Sequence, residues 1–273
     1  MPFPKKVYDR LKGRTAIVAG AGSQGPGIGT GKAIATWFAA EGARVCLVDV
    51  EVLRAEETLR QIVGAGGEGF VHAGDVTDTN VCAGIVARTL ERYGSVDILV
   101  NNVGVSGGGG EIWDLDEAGW ARQIELNLKG SVLMTKHAMR ALVASGHGAV
   151  INISSTAALL ASGGSYAYGP AKAAMIAFSR DIAVKYGRKG VRANVIAPGH
   201  IFTPHVAGYF DERAREIRRK VAPLGIEGDA WDVAAAAVFL ASEEARFITG
   251  ACLPVDGGVT ETMQLTAHAF IEE

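Results

Sequence analysis

The sequence predicts an α/β fold, a doubly wound parallel sheet with helices on both faces. Three observations lead there. Apolar β-type runs alternate with amphipathic helical stretches along nearly the whole chain. The first run, TAIVA at 15–19, opens at once into a glycine-rich turn, GAGSQGPGIGTG, and then a helix. A later run, VDILV at 96–100, is almost continuously apolar, which suits a strand covered on both faces. No repeat, low-complexity linker or composition break divides the 273 residues, so 1–273 reads as a single domain.

The bulk numbers narrow the class. Hydrophobic residues make up 48% and the formal net charge is −2, which argues against a nucleic-acid partner and against disorder. Cys46, Cys82 and Cys252 are far apart and odd in number, so they form neither a metal spacing nor a disulfide framework. Cys46 sits in an apolar run and reads as a small core residue. The start, MPFPKKVYDRLKG, has basic residues but no apolar segment after them, unlike a signal peptide. No run of about 18 apolar residues exists to span a membrane. The expectation is a soluble, cytoplasmic protein without a metal.

Taken in order, the turn after the first strand has glycines that allow close approach to a pyrophosphate, and the next helix offers free N–H groups to that anion. The second strand, 45–49, ends in Asp49, 18 residues past Gly31, where a carboxylate would bond the ribose hydroxyls of an adenosine. An ordinary helix cap is the other reading of Asp49. A carboxylate there repels a 2′-phosphate, and Val50 and Glu51 offer it no basic partner, so the expected cofactor is NAD(H) rather than NADP(H). Residues 51–63 read as an amphipathic helix and 69–73 as a strand that includes a lone His72. Asp75 reads as a cap for the following helix. Strand 96–100 runs into Asn101, Asn102, Val103 and Gly104, then a flexible loop at 106–110 on the edge where open α/β sheets bind ligands. That loop is either a mobile pocket wall or a spacer. Residues 115–144 form a long helical region, and His137 and His147 are expected at the surface without partners.

The chemistry sits at 149–172. An apolar β run ends at Ser154 and Ser155, crosses small residues, and reaches Tyr168-Gly-Pro-Ala-Lys172. A tyrosine and a lysine four apart share one face of a helix. Pro170 suits a first helical turn, where its missing N–H is not needed. A free tyrosine, with a pKa of about 10, is a poor base, but a nearby cation lowers that value. Tyr168 can then take a proton from an alcohol or return one to a carbonyl. Ser155 could hydrogen-bond the same oxygen in both forms. Tyr166 meets Pro170 four residues on, so it reads as a packing or pocket-wall aromatic. Residues 171–186 continue the helix, 192–197 form a strand, 229–241 another helix and 251–255 the last strand. Between them Arg213, Arg215, Arg218, Arg219 and Lys220 are either a solvated helix face or a site for an anionic substrate group. His200 and His205 are zinc-ligand types, but no third ligand lies nearby in sequence.

With Ser155 thirteen residues before Tyr168-x-x-x-Lys172, the chain resembles the short-chain dehydrogenase/reductase family over about residues 11–258. The resemblance selects Ser155 over Ser154 and implies a Rossmann-type sheet of seven strands. The glycine loop departs from the family's T-G-x-x-x-G-x-G: Ala19 replaces the threonine, and the loop is about five residues longer. Gly29-Thr30-Gly31 keeps the usual distance into the helix, so Gly20, Gly29 and Gly31 are the expected contacts, with Gly25 and Gly27 in an enlarged loop around Pro26. The family pattern puts Asp75 and Val76 at the adenine, and Asn102 and Gly104 at the adenine-ribose side or in support of the central strand. It puts Pro198, Gly199, Ile201 and Thr203 at the nicotinamide. Lys172 would hold the nicotinamide ribose beside Tyr168. Asn127 matches a fourth catalytic residue, its side chain holding a water near the lysine. The resemblance also implies a substrate lid at about 203–226 and a homotetramer, and the mixed residues 259–273 are expected as a tail that reaches a neighbouring subunit or covers the site. The implied function is hydride transfer between NAD(H) and a small-molecule secondary alcohol or ketone, with Tyr168 as acid and base. Reduction of an acyl-carrier-bound ketone is one alternative. A catalytically silent NAD sensor is the other, against which the complete set of Asn127, Ser155, Tyr168 and Lys172 argues.

Overall fold

The computed structural model describes residues 8–107, 109–161 and 163–272. The first seven residues of the basic N-terminal segment, Gly108 of the glycine-rich loop, Ser162 and Glu273 lie outside the described residues. Among the described residues nine strands occur, in chain order: β1 (Thr15–Ala19), β2 (Arg44–Asp49), β3 (Glu68–Ala73), β4 (Ile98–Asn101), β5 (Gly148–Ile153), β6 (Val191–Pro198), β7 (Ile201–Phe202), β8 (Gly228–Asp229) and β9 (Cys252–Val255). Seven of them form one wholly parallel sheet in the order β3-β2-β1-β4-β5-β6-β9. The helices are α1 (Thr30–Ala40), α2 (Val52–Gly64), α3 (Thr79–Tyr93), α4 (Glu117–Ile124), α5 (Gly130–Ser145), α6 (Tyr168–Tyr186), α7 (Glu212–Lys220), α8 (Ala230–Ala241) and α9 (Gln264–Glu272).

The continuous apolar strands are explained by burial on both sides. Every residue of β1, β4 and β5 is buried. Successive side chains alternate between faces. Ala16, Val18, Leu47 and Val100 join α1, α2 and α8 in one core, while Ile17, Val48, Leu99 and Val150 join α3, α5 and α6 in the other. Cys46 is fully buried, as its apolar run implied. The strand order reverses between β1 and β4, and a crevice opens there at the carboxyl ends of the strands.

Several elements differ from the sequence reading. The helical region at 115–144 is broken by a π-turn, Glu125–Lys129, between α4 and α5. β7 and β8 pair with each other outside the main sheet, so the segment between them leaves and returns through one small clasp. His137 and His147 are not partnerless. His137 Nε2 lies 2.8 Å from Thr79 Oγ1, and His147 Nε2 lies 3.0 Å from the buried Asp97 carboxylate. Asp97 also accepts the Thr15 N–H at 2.7 Å, which ties β1, β4 and β5 together at the end of the sheet away from the crevice. Residues far apart in sequence make both pairs, so spacing alone does not reveal them. Among the described residues, no helix is long and apolar enough to cross a membrane, and no group of three or more His, Cys, Asp or Glu could hold a metal.

Candidate active site

The crevice is an open cleft of about 380 Å³. Its glycine end is built by close approach. Gly20 has φ +77, a left-handed conformation that favours glycine, and its N–H and that of Ala21 both donate to Val48 O. Gly31 lies directly below: a Cβ there would sit 1.8 Å from Gly20 O and 2.5 Å from Asn102 Nδ2. Gly29 caps α1 without any side-chain bond, and no acidic residue stands in the first turn of α1, so that turn presents bare N–H groups beside the cleft. Gly31→Ala is expected to cost ~1–3 kcal/mol of stability by overpacking and to weaken dinucleotide binding at least about tenfold, a 1.4 kcal/mol effect. A thermal melt and a fluorescence titration check it.

At the far end of this wall Asp49 accepts the Gly22 N–H at 2.9 Å and the Glu51 N–H at 3.0 Å. It does not cap α2, whose N-cap residue is Glu51 with no side-chain bond. Arg54, one turn into α2, lines the same corner, a cation that a reading confined to Val50 and Glu51 misses. Asp75 does not cap α3 either. Asp78 does, accepting the Asn80 N–H at 2.7 Å, because it stands one residue before the helix begins. Asp75 instead accepts Thr77 N–H and Oγ1–H, and Arg122 Nη2 at 3.2 Å. Burial raises its carboxyl, but the Thr77 and Arg122 bonds outweigh that and hold it below the usual carboxylate range. Asp75, Val76 and Arg122 all line the cleft.

The two asparagines after β4 separate in role. Asn101 is buried and joins Thr135 and Asn152, which in turn donates to Ser179 at 2.7 Å. Asn102 lines the cleft and donates to Gly20 O at 2.9 Å. Gly104 is packed against the next site, since a Cβ there would lie 2.9 Å from Lys172 Nζ and 3.0 Å from Asn127 Oδ1.

The reactive end is formed where β5 meets the start of α6. Ser154 is buried and donates to Lys172 O at 2.8 Å, whereas Ser155 lines the cleft with Tyr168, its Oγ accepting the Ala157 N–H at 3.1 Å. Tyr168 is the first residue of α6, and Lys172, one turn on, lies with its Nζ 5.8 Å from the Tyr168 ring centre. Lys172 is 2% exposed and donates to Ile153 O at 3.0 Å. Burial pushes its pKa down to about 8. The expected lowering of the tyrosine by that lysine is not what this arrangement produces. Burial raises the Tyr168 phenol, the Ser155 bond offsets this only in part, and the lysine points to a carbonyl.

Asn127 needs a second correction. Its side chain is committed to backbone, with Oδ1 accepting Val105 N–H at 3.1 Å and Nδ2 donating to Val105 O and Gln123 O, each at 2.9 Å. Both amide hydrogens are used, so the group clamps the exit of β4 to the π-turn instead of presenting donors to a water. Pro198, Gly199, Ile201 and Thr203, at the end of β6 and along and just after β7, also line the cleft. Tyr166 lies apart, its hydroxyl near Gly110 O at 3.4 Å.

The basic cluster divides: no residue of α7 is buried and Arg213 is exposed, while other members are held by aromatic and acidic partners. Arg215 stacks on Phe202 at 3.7 Å and bonds Glu227 at 2.8 Å; Arg218 stacks on Phe210 at 4.3 Å; Arg219 bonds Glu212 at 2.8 Å. These cations brace the segment between β7 and β8. Lys220 donates to Ile271 O of α9, which packs the tail on α7. His200 and His205 face different partners, Arg218 O and Gln24. Gln24, Arg54, Arg122 and His205 are cleft residues that the sequence reading did not select, because no motif spacing connects them.

Comparisons with known proteins agree with this architecture. A family model described as enoyl-(acyl carrier protein) reductase matches residues 25–260. The cis-4-hydroxycyclohexanecarboxylate dehydrogenase of Sinomonas cyclohexanicum is 39% identical over 248 residues, 90% of this chain and 96% of that one. Among solved structures, a Burkholderia xenovorans protein provisionally assigned as a short-chain dehydrogenase/reductase is 43% identical, with a TM-score of 0.87 over 93% of this chain and 99% of that one. A 7α-hydroxysteroid dehydrogenase, solved with NADH and 7-oxo glycochenodeoxycholic acid, is 32% identical, with a TM-score of 0.85 over 92% of this chain and 95% of that one.

Proposed function

The chain belongs to the short-chain dehydrogenase/reductase family, and we propose that it works there as an NAD-dependent oxidoreductase of a cyclic secondary alcohol, with Tyr168 as its acid and base. That it is a hydride-transfer oxidoreductase follows from its relatives. The ring-shaped substrate is supported by the cyclohexane and steroid relatives. The observation that carries the chemistry is the cleft placement of Ser155, Tyr168 and Lys172 on the same side as the Gly20–Gly31 cradle.

The residues fit a nicotinamide dinucleotide, because the space where a Cβ of Gly31 would clash is the close approach that a pyrophosphate turn needs. Gly20, Gly29 and Gly31 would hold the pyrophosphate, and Asp49 the adenosine ribose. Asp75, Val76, Asn102 and Gly104 would line the adenosine half, while Pro198, Gly199, Ile201 and Thr203 would hold the nicotinamide end. When bound, the nicotinamide supplies the hydride acceptor or donor. Ser155 orients the substrate oxygen by a hydrogen bond. Tyr168 takes the hydroxyl proton as the alcohol becomes a ketone, and returns it in reduction. Lys172, charged below about pH 8, would bond the nicotinamide ribose. Asn127 acts at one remove, by fixing Val105 and with it Gly104 against Lys172.

The test is NADH formation across a panel of cyclic secondary alcohols, with NAD+ and NADP+ run side by side. Turnover with NADP+ alone would sink the cofactor reading. Asp49→Ala is expected to lower the NAD-to-NADP ratio of kcat/KM about tenfold or more, the loss of one charged hydrogen bond of ~1.5 kcal/mol, because Arg54 then faces the 2′-phosphate unopposed. The family model's description favours a second reading, an acyl-carrier-bound substrate. Turnover of an acyl thioester with no turnover of any free cyclic alcohol would establish it. A homotetramer is supported by exposed apolar side chains such as Val184 on α6 and Phe247, which contact between copies would cover. The three free thiols support a reducing cytoplasm.

A further inference from the structure

The enlarged glycine loop and the segment between β7 and β8 meet at one imidazole. His205 Nδ1 lies 2.7 Å from Gln24 Oε1, and His205 Nε2 lies 3.4 Å from Ser106 Oγ. A neutral ring protonated on Nδ1 satisfies both contacts: Nδ1–H donates to Gln24, and Nε2 accepts from Ser106. Burial lowers the pKa of His205, which favours that neutral form. The loop is also contoured to the neighbouring proline. Gly27 has φ +115, and a Cβ there would lie 3.2 Å from Pro204 Cγ. On the other side the Tyr209 ring meets the imidazole edge-on at 6.2 Å.

These contacts join opposite walls of the cleft. Gly22, Ser23 and Gln24 line it from the glycine loop, and Thr203, His205 and Val206 from beyond β7. A dinucleotide laid from Asp49 to Tyr168 runs along the cleft between those walls. The small β7–β8 clasp and the Arg215–Glu227 pair hold the base of the β7–β8 segment, so its first turn is free to lean on the loop.

We propose that Gln24 and His205 form a strap across the cofactor cleft that retains the bound dinucleotide and sets its rate of release. The proposal rests on the dinucleotide reading above. The enlarged loop thereby has a purpose: its extra residues carry Gln24 out to the segment after β7, which the family resemblance makes the substrate lid. Opening that segment to admit or release substrate also frees the cofactor.

NADH release from the full-length protein, followed by nicotinamide fluorescence after a chase with excess NAD+, tests it. Gln24→Ala and His205→Ala are each expected to speed release about three- to tenfold, the range for one ordinary hydrogen bond. The double variant should be no faster than the faster single variant, since both changes remove the same link. His205→Gln, which keeps an N–H donor, should recover part of the retention. In the cofactor-free protein, His205→Ala should also speed amide exchange in residues 22–27. Unchanged release in either single variant, or rate effects that multiply in the double, would overturn the strap. A wild-type protein that binds no NADH would overturn the cofactor reading with it, whereas wild-type binding with unaltered variants overturns the strap alone.

Discussion

Tyr168→Phe is expected to reduce turnover about a thousandfold or more, within the range of a lost general acid–base group, while NADH binds nearly as before. Phenylalanine keeps the ring that lies 5.8 Å from Lys172 Nζ and removes only the hydroxyl oxygen. Packing at the start of α6 is therefore preserved, and the variant should melt close to the wild type. Steady-state kinetics in both directions, with an NADH fluorescence titration on the same sample, separate chemistry from binding. Rates within tenfold of the wild type would remove Tyr168 from the mechanism.

Lys172→Met is expected to lose turnover while changing the pH dependence of stability in a defined direction. Lys172 is buried and its pKa is pushed from the ordinary 10.5 down to about 8. Between those values the unfolded chain binds more protons than the folded one, so the lysine's contribution to stability rises with pH. Below about pH 8 the cost of burying its charge stands in full, on the order of 3 kcal/mol at 1.36 kcal/mol per pH unit. Methionine removes that cost but leaves Ile153 O without its donor, which offsets about 1–3 kcal/mol of the gain. At pH 7 the variant should thus be about as stable as the wild type. The wild type should then gain on it by up to about 3 kcal/mol from pH 8 to 10.5. Denaturant unfolding of both proteins across that range reads the difference, and parallel curves would contradict it.

Much of the fold was legible because its signals are local. The all-apolar runs at β1 and β4 are covered on both faces, as continuous hydrophobicity implies. Strand ends at Asp49 and Ser155, and the start of α6 at Tyr168, lie within a residue or two of where composition put them. The site residues named by spacing and by the family resemblance mostly share one cleft, since the ends of adjacent parallel strands converge at the point where strand order reverses. The misreadings were of partners. Asp75 looks like a cap, yet Asp78 stands nearer the helix start. Asn127 looks like a donor to water, yet Val105 and Gln123, from other parts of the fold and of its own helix, already use its amide hydrogens. The arginines of α7 read as either a solvated face or an anion site, yet Glu227 and Phe202 hold Arg215 and Phe210 holds Arg218.

The sequence by itself determined what depends on near neighbours: the glycine turn, the alternation of strand and helix, and the one-turn spacing that puts Tyr168 and Lys172 on the same helical face. Backbone sterics and helical periodicity act over a few residues, so spacing encodes them. Only the tertiary structure decided which charges and hydrogen bonds are already used, and which remain to face a ligand. Gln24 meets His205 across 181 residues of chain, and Arg54 reaches the Asp49 corner only once α2 has packed on the sheet. Such meetings follow from how layers stack in three dimensions, and no local pattern along the chain carries that information.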